Sequence, residues 1–148
     1  ATDAGYGFVA KFGDLVAKNK AGKAVLTLPK GSQVMPPVIV PERQNLLVAA
    51  ATSEGRLLVF PLADLPELAK GKGNKIIGIP SARAQAREEL LVGLLVFGDG
   101  DVVQVQSGRQ YLKLKLSDLE NYRGERGRRG NRLPKGFQKV SGLAIADG

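Results

Sequence analysis

The chain has 148 residues, enough for a hydrophobic core, and sets 22 Lys and Arg against 14 Asp and Glu for a net charge of +8. It contains no His and no Cys, which excludes the commonest general base, thiolate chemistry, a disulfide framework and a Ser-His-Asp triad. The longest apolar run, residues 90–97, is too short for a membrane-spanning helix, and no secretory pattern opens the sequence.

In chain order, short apolar or alternating runs at 6–12, 24–28, 37–40, 46–52, 56–62, 75–79, 91–97, 102–106, 109–116 and 140–146 predict strands. Each is bounded by Gly, Pro, Asp or Asn, which supply turn dihedrals. One turn of helix is expected after each Asp-Leu pair, with Asp64 as cap and Pro66 in the first turn. Gly98-Asp99-Gly100-Asp101 predicts a hairpin turn, its aspartates shaping the turn rather than holding metal. Tyr111, Lys113 and Lys115 alternate with Leu112, Leu114 and Leu116, the pattern of a strand with one wet face. The fold class is all-β.

The runs recur. Thr2-Asp3-Ala4-Gly5, a strand and Asp14-Leu15 return as Thr52-Ser53-Glu54-Gly55, a strand and Asp64-Leu65. A looser third copy is Gln106-Ser107-Gly108, a strand and Asp118-Leu119. Residues 22–29 and 73–80 also match, each a Gly/Lys turn feeding an apolar strand that stops at Pro29 or Pro80. Four strands in about fifty residues is the size of a propeller blade. The sequence therefore predicts one fragment of a β-propeller domain, with four-stranded antiparallel blades at about 1–45, 46–90 and 91–148. The last strand opens a further unit, and both ends fall in mid-hairpin. The C-terminal strand is expected to pair with the N-terminal edge, within one chain or between two.

The basic residues repeat with the same period. Lys18, Lys20 and Lys23 follow the first Asp-Leu, and Lys70, Lys72 and Lys75 the second. Arg123, Arg126, Arg128, Arg129, Arg132 and Lys135 follow the third. Equivalent loops emerge at equivalent places on successive blades, so these charges predict a strip around the rim that attracts nucleic acid. Gly22, Gly71, Gly73, Gly124, Gly127 and Gly130 are expected to leave backbone N–H groups for phosphate oxygens. Aromatics make up 5% of the chain and none is interleaved with these lysines, which disfavours a single-strand stacking platform. With no recognition helix evident, the remaining mode is backbone contact with duplex. Tyr122 falls where Leu68 does fifty-four residues earlier, a packing position rather than a nucleophile. No Gly-x4-Gly-Lys-Ser/Thr phosphate loop occurs.

Several stretches carry a family resemblance: Gly5-Tyr6-Gly7-Phe8-Val9, Ala21-Gly22-Lys23-Ala24, Val34-Met35-Pro36-Pro37, Lys70-Gly71-Lys72-Gly73-Asn74-Lys75-Ile76-Ile77 and Gly124-Glu125-Arg126-Gly127-Arg128-Arg129-Gly130. Over essentially its whole length the chain resembles the C-terminal β-propeller (β-pinwheel) domain of type IIA topoisomerase A subunits, in the topoisomerase IV branch. The resemblance implies a non-catalytic module that binds and orients double-stranded DNA for ATP-dependent strand passage, decatenation and relaxation of supercoils. It implies that this piece holds no cofactor and no small-molecule substrate, with ATP and magnesium bound elsewhere in the parent. The implied partners are duplex DNA, the rest of the A subunit, the ATPase B subunit in a heterotetramer and a chromosome-organising protein. The implied location is the cytoplasm at the nucleoid, with peripheral association of the parent at the membrane. Gly127-Arg128-Arg129-Gly130-Asn131-Arg132 echoes the gyrase wrapping box without its leading Gln and second Gly. Two alternatives stand beside this reading: a docking surface for an acidic protein, and a gyrase-type wrapping domain.

Overall fold

The computed structural model describes residues 1–9, 32–33, 35, 38, 40, 45–65, 74–98, 101–134, 137 and 139–146. These form β1 (Tyr6–Gly7), β2 (Leu47–Thr52), β3 (Arg56–Pro61), β4 (Asn74–Lys75), α1 (Ser81–Gln85), β5 (Leu91–Phe97), β6 (Val102–Ser107), β7 (Gln110–Leu114), α2 (Leu116–Leu119), β8 (Asn131–Arg132) and β9 (Gly142–Ala146). Every pairing between these strands is antiparallel, in sheets ordered β1-β4, β5-β2-β3-β8 and β7-β6-β9. Among the described residues no helix is long and apolar enough to cross a membrane.

The central sheet is buried on both faces, which explains why β2 and β3 are apolar at consecutive positions. Leu47, Ala49, Ala51, Leu57 and Val59 enter one core with Val103, Val105 and Leu114 of the β7-β6-β9 sheet. Val48, Ala50, Leu58 and Phe60 enter a second core with Ile76, Ile77 and Ile79. Each large side chain buried this completely contributes about 1.5–3 kcal/mol. β5 and β9 approach so closely that a Cβ on Gly93 would lie 2.6 Å from Leu143 Cγ.

The repeat is visible in hydrogen bonds. The Gly5 N–H donates to the Thr2 carbonyl and the Gly55 N–H to the Thr52 carbonyl, both at 3.1 Å. Both glycines hold positive φ, +89° and +81°, which an L side chain rarely adopts. The segments after the second and third basic loops are then exchanged backward. β4 pairs with β1 (Tyr6 opposite Lys75) and β8 with β3 (Arg56 opposite Arg132). Each segment completes the sheet of the repeat before its own.

Several expectations are corrected. The strands on either side of residues 98–101 are not a hairpin: β5 pairs with β2, whereas β6 pairs with β7 and β9, so the two belong to different sheets. Asp101 still shapes the connection, accepting the Gly98 N–H at 2.8 Å; Asp99 lies outside the described residues. β9 pairs with β6 rather than with the N-terminal segment, since Leu143 and Ile145 match Val105 and Val103 in its register. A 3-10 turn covers Leu62–Asp64 and ends at Leu65, so Asp64 lies inside a turn rather than opening one; Pro66 and the turn expected there lie outside the described residues. In the third repeat Asp118 lies inside α2, and a 3-10 turn at Glu120–Tyr122 follows the Asp-Leu pair as expected. The strand expected at 75–79 is only β4, since Ile76–Ile79 pack into the core outside any ladder. Helix α1 follows Pro80, whose extended backbone (φ −56°, ψ 133°) leads into it.

Candidate nucleic-acid interface

The candidate interface is built on residues 123–132, which cross from the third repeat to the edge of the central sheet. Tyr122 anchors the start of this crossing. It is buried in the core with Leu119 and Leu133, as its repeat position predicts. Burial, and then the charge of Asp118, push its phenol above the ordinary tyrosine pKa. From there the backbone is stitched down step by step. The Gly124 N–H donates to Val59 O at 3.0 Å and the Gly127 N–H to Ile76 O at 3.0 Å. The Gly78 N–H donates to Arg128 O at 2.7 Å, and β8 then joins β3. The N–H groups of Gly124 and Gly127, expected to be available to phosphate, are therefore consumed by the fold. These glycines permit close approach to protein backbone instead.

The arginines of this segment divide by what their guanidinium groups touch. Arg126 donates Nε to Asp64 O and Nη1 to Lys75 O, both at 2.8 Å. Arg129 donates Nη1 to Gly78 O at 2.6 Å and grips both carboxylate oxygens of Glu89, Nη2 to Oε2 at 3.0 Å. Glu89 is fully buried, and Arg83 stands 3.9 Å from its Oε2. Arg126 and Arg129 thus hold the segment in place. Arg128 is turned outward, its side chain 72% exposed, and among the described residues it meets only the still more exposed Glu125, at 3.1 Å. Arg123 reaches Glu120 at 3.6 Å near the surface, and Arg132 is exposed at the sheet edge. Surface pairs of this kind are worth little and exchange readily with another anion.

Two basic residues outside the repeating loops join the cluster. Arg56, opposite Arg132 across β3–β8, donates Nη1 to Gly130 O at 3.1 Å. Burial, then Arg129 and Arg132, lower its pKa from the ordinary guanidinium value, with Glu89 acting in opposition. Arg83 is shared among Glu89, Glu54 and Glu88. Arg56 was missed because it starts a strand outside the Gly/Lys loops. Arg83 lies on the short helix α1, which no periodicity in the sequence announces. Lys75 lies on β4, half-buried. Lys18, Lys20, Lys23, Lys70, Lys72 and Lys135 lie outside the described residues.

Among known proteins, the profile of the family described as "DNA gyrase C-terminal domain, beta-propeller" matches residues 1–41, 47–97 and 107–147. The chain is 57% identical over 145 residues to the A chain of DNA topoisomerase 4 from Pseudomonas aeruginosa, covering 98% of this chain and 19% of that one. Its counterpart of the same name in Escherichia coli K12 is 48% identical with the same coverage. The chain therefore spans about a fifth of the length of these curated relatives. Among solved structures, the C-terminal domain of E. coli ParC superposes with a TM-score of 0.89 at 47% identity, over 100% of this chain and 59% of that one. The DNA gyrase A C-terminal domain shares the fold at 16% identity, with a TM-score of 0.71, over 99% of this chain and 47% of that one.

Proposed function

The chain belongs to the DNA gyrase C-terminal β-propeller family, and on that premise we propose that it is a non-catalytic module that binds and orients duplex DNA within a topoisomerase IV A subunit. The observation that carries this reading is the arginine edge of the central sheet. Arg129 and Arg83 share a single buried carboxylate, Glu89, and Arg56 is bonded to Gly130 O beside them, while Arg123, Arg128 and Arg132 face solvent along one pinned segment. An excess of guanidinium groups on a fixed backbone attracts a polyanion and loses little freedom on binding it. No recognition helix accompanies the cluster among the described residues, so the contact is with phosphate and carries no base readout.

In the parent, this module would orient duplex for strand passage powered by ATP, with magnesium and the B subunit outside the present chain. Titrating the chain into duplexes of unrelated sequence, across a salt series, tests the reading. Affinity should be similar for each duplex and log affinity should fall by roughly 0.9 per decade of salt for each phosphate neutralised. Duplex binding that ignores salt would overturn it, and weak duplex binding beside tighter binding of an acidic protein would favour a docking surface instead.

A further inference from the structure

One acidic partner of the crossing segment lies wholly out of water. Glu89 sits in the connection between α1 and β5, and it is fully buried. The backbone on both sides of it is pinned. The Glu88 N–H donates to Arg83 O at 2.8 Å, the Leu90 N–H to Ser53 Oγ at 3.0 Å and the Leu91 N–H to Asp3 O at 2.8 Å. The carboxylate therefore has a fixed position, and Arg129 comes to it. Arg129 Nη1 and Nη2 donate to Glu89 Oε1 and Oε2, and Nη1 also donates to Gly78 O at 2.6 Å.

Arg129 differs from its neighbours in what its departure would leave behind. Its side chain is 35% exposed, so it reaches the surface as Arg128 does. When Arg128 turns to another anion, the exposed Glu125 returns to water at little cost. A phosphate that took Arg129 would leave Glu89 in the core with Arg83 alone, 3.9 Å from Oε2 and shared with Glu54 and Glu88. Stranding a buried carboxylate costs far more than one solvent-screened phosphate contact returns. The field at Arg56 reports the same balance: Arg129 and Arg132 lower its pKa while Glu89 opposes them. The buried carboxylate thus cancels positive charge at this edge.

We propose that Glu89 is a positioning residue for duplex binding. It acts through Arg129, holding that guanidinium away from phosphate and so limiting how many arginines of the segment the duplex engages. The inference rests on the reading that the chain binds duplex. Duplex titration across a salt series compares the chain with Glu89→Gln and Glu89→Gln/Arg129→Gln, each also followed by denaturant unfolding. Glu89→Gln releases Arg129 and should steepen the log–log salt slope by roughly 0.9, one phosphate contact, even as its unfolding midpoint falls. A structural role alone would lower the midpoint and leave the slope unchanged; that result overturns the inference and leaves the duplex reading standing. Asp101→Asn raises the net charge equally, but the six steps of β5 from Leu91 to Phe97 separate the two sites by about 20 Å. It should keep the wild-type slope, and a steepening equal to that of Glu89→Gln would trace the effect to net charge and overturn the inference. The double variant decides the matter even where Glu89→Gln fails to fold. It removes both members of the pair and should keep the wild-type slope, whereas a slope shallower by roughly 0.9 would mean that Arg129 already holds phosphate, which overturns the inference. Failure of the unaltered chain to bind any duplex overturns both readings.

Discussion

Arg129 and Glu89, forty residues apart in the chain, meet through both carboxylate oxygens, and the carboxylate is wholly buried. Arg129 also caps the Gly78 carbonyl. The pair ties the crossing segment to the second repeat at the point where Arg128 and Arg132 turn outward. Arg129→Leu leaves Glu89 buried without its main partner, which costs about 3–5 kcal/mol. Denaturant unfolding should show a midpoint lowered accordingly. The Arg129→Met/Glu89→Met pair should recover most of that loss, because matched apolar groups remove the uncompensated charge. An unfolding midpoint for Arg129→Leu equal to wild type would reduce the ion pair to a surface ornament.

Gly130 and Gly108 both hold positive φ, +73° and +59°, but in different surroundings. A Cβ on Gly130 would lie 2.5 Å from the Leu57 carbonyl oxygen, whereas one on Gly108 meets nothing within 4 Å. Gly108→Ala should therefore cost only the left-handed backbone penalty, about 1–2 kcal/mol. Gly130→Ala should cost more and loosen β8 from β3. Amide exchange at Asn131 and Arg132 reads this directly. Equal stability losses in the two variants would contradict the close approach of Gly130 to Leu57.

Tyr122 supplies a pH signature. Its folded pKa is raised by burial and then by Asp118. The stabilisation from its neutral phenol is therefore complete below the unfolded tyrosine value, about 10, and is lost as pH rises through the folded value. Stability measured from about pH 9 upward, across that unfolded value, should fall more steeply for wild type than for Tyr122→Phe, which has no proton to lose. Parallel curves would mean that Tyr122 is not held in the core.

The readable parts of the fold were those set by local pattern. β2, β3, β5, β6 and β7 are continuous runs bounded by turn residues, and their limits fall close to those predicted. The exchange of β4 and β8 was not readable, because each is only two residues long and pairs with a strand about seventy residues away. The arginine segment shows the same limit on the functional side. Its charge, glycines and period were plain, yet Arg126 and Arg129 differ from Arg128 only in what they touch, and those partners lie forty to sixty-two residues distant.

The sorting of the arginines is tested most directly by the salt dependence of duplex binding for Arg128→Gln/Arg132→Gln, set beside Arg126→Gln. The double variant should keep the wild-type unfolding midpoint and give a log–log salt slope shallower by roughly 2, one for each lost phosphate contact. Arg126→Gln removes two bonds to backbone carbonyls and should lower the unfolding midpoint instead. Wild-type affinity and slope in Arg128→Gln/Arg132→Gln would contradict this sorting, because duplex would then be held without the arginines that the segment turns toward solvent.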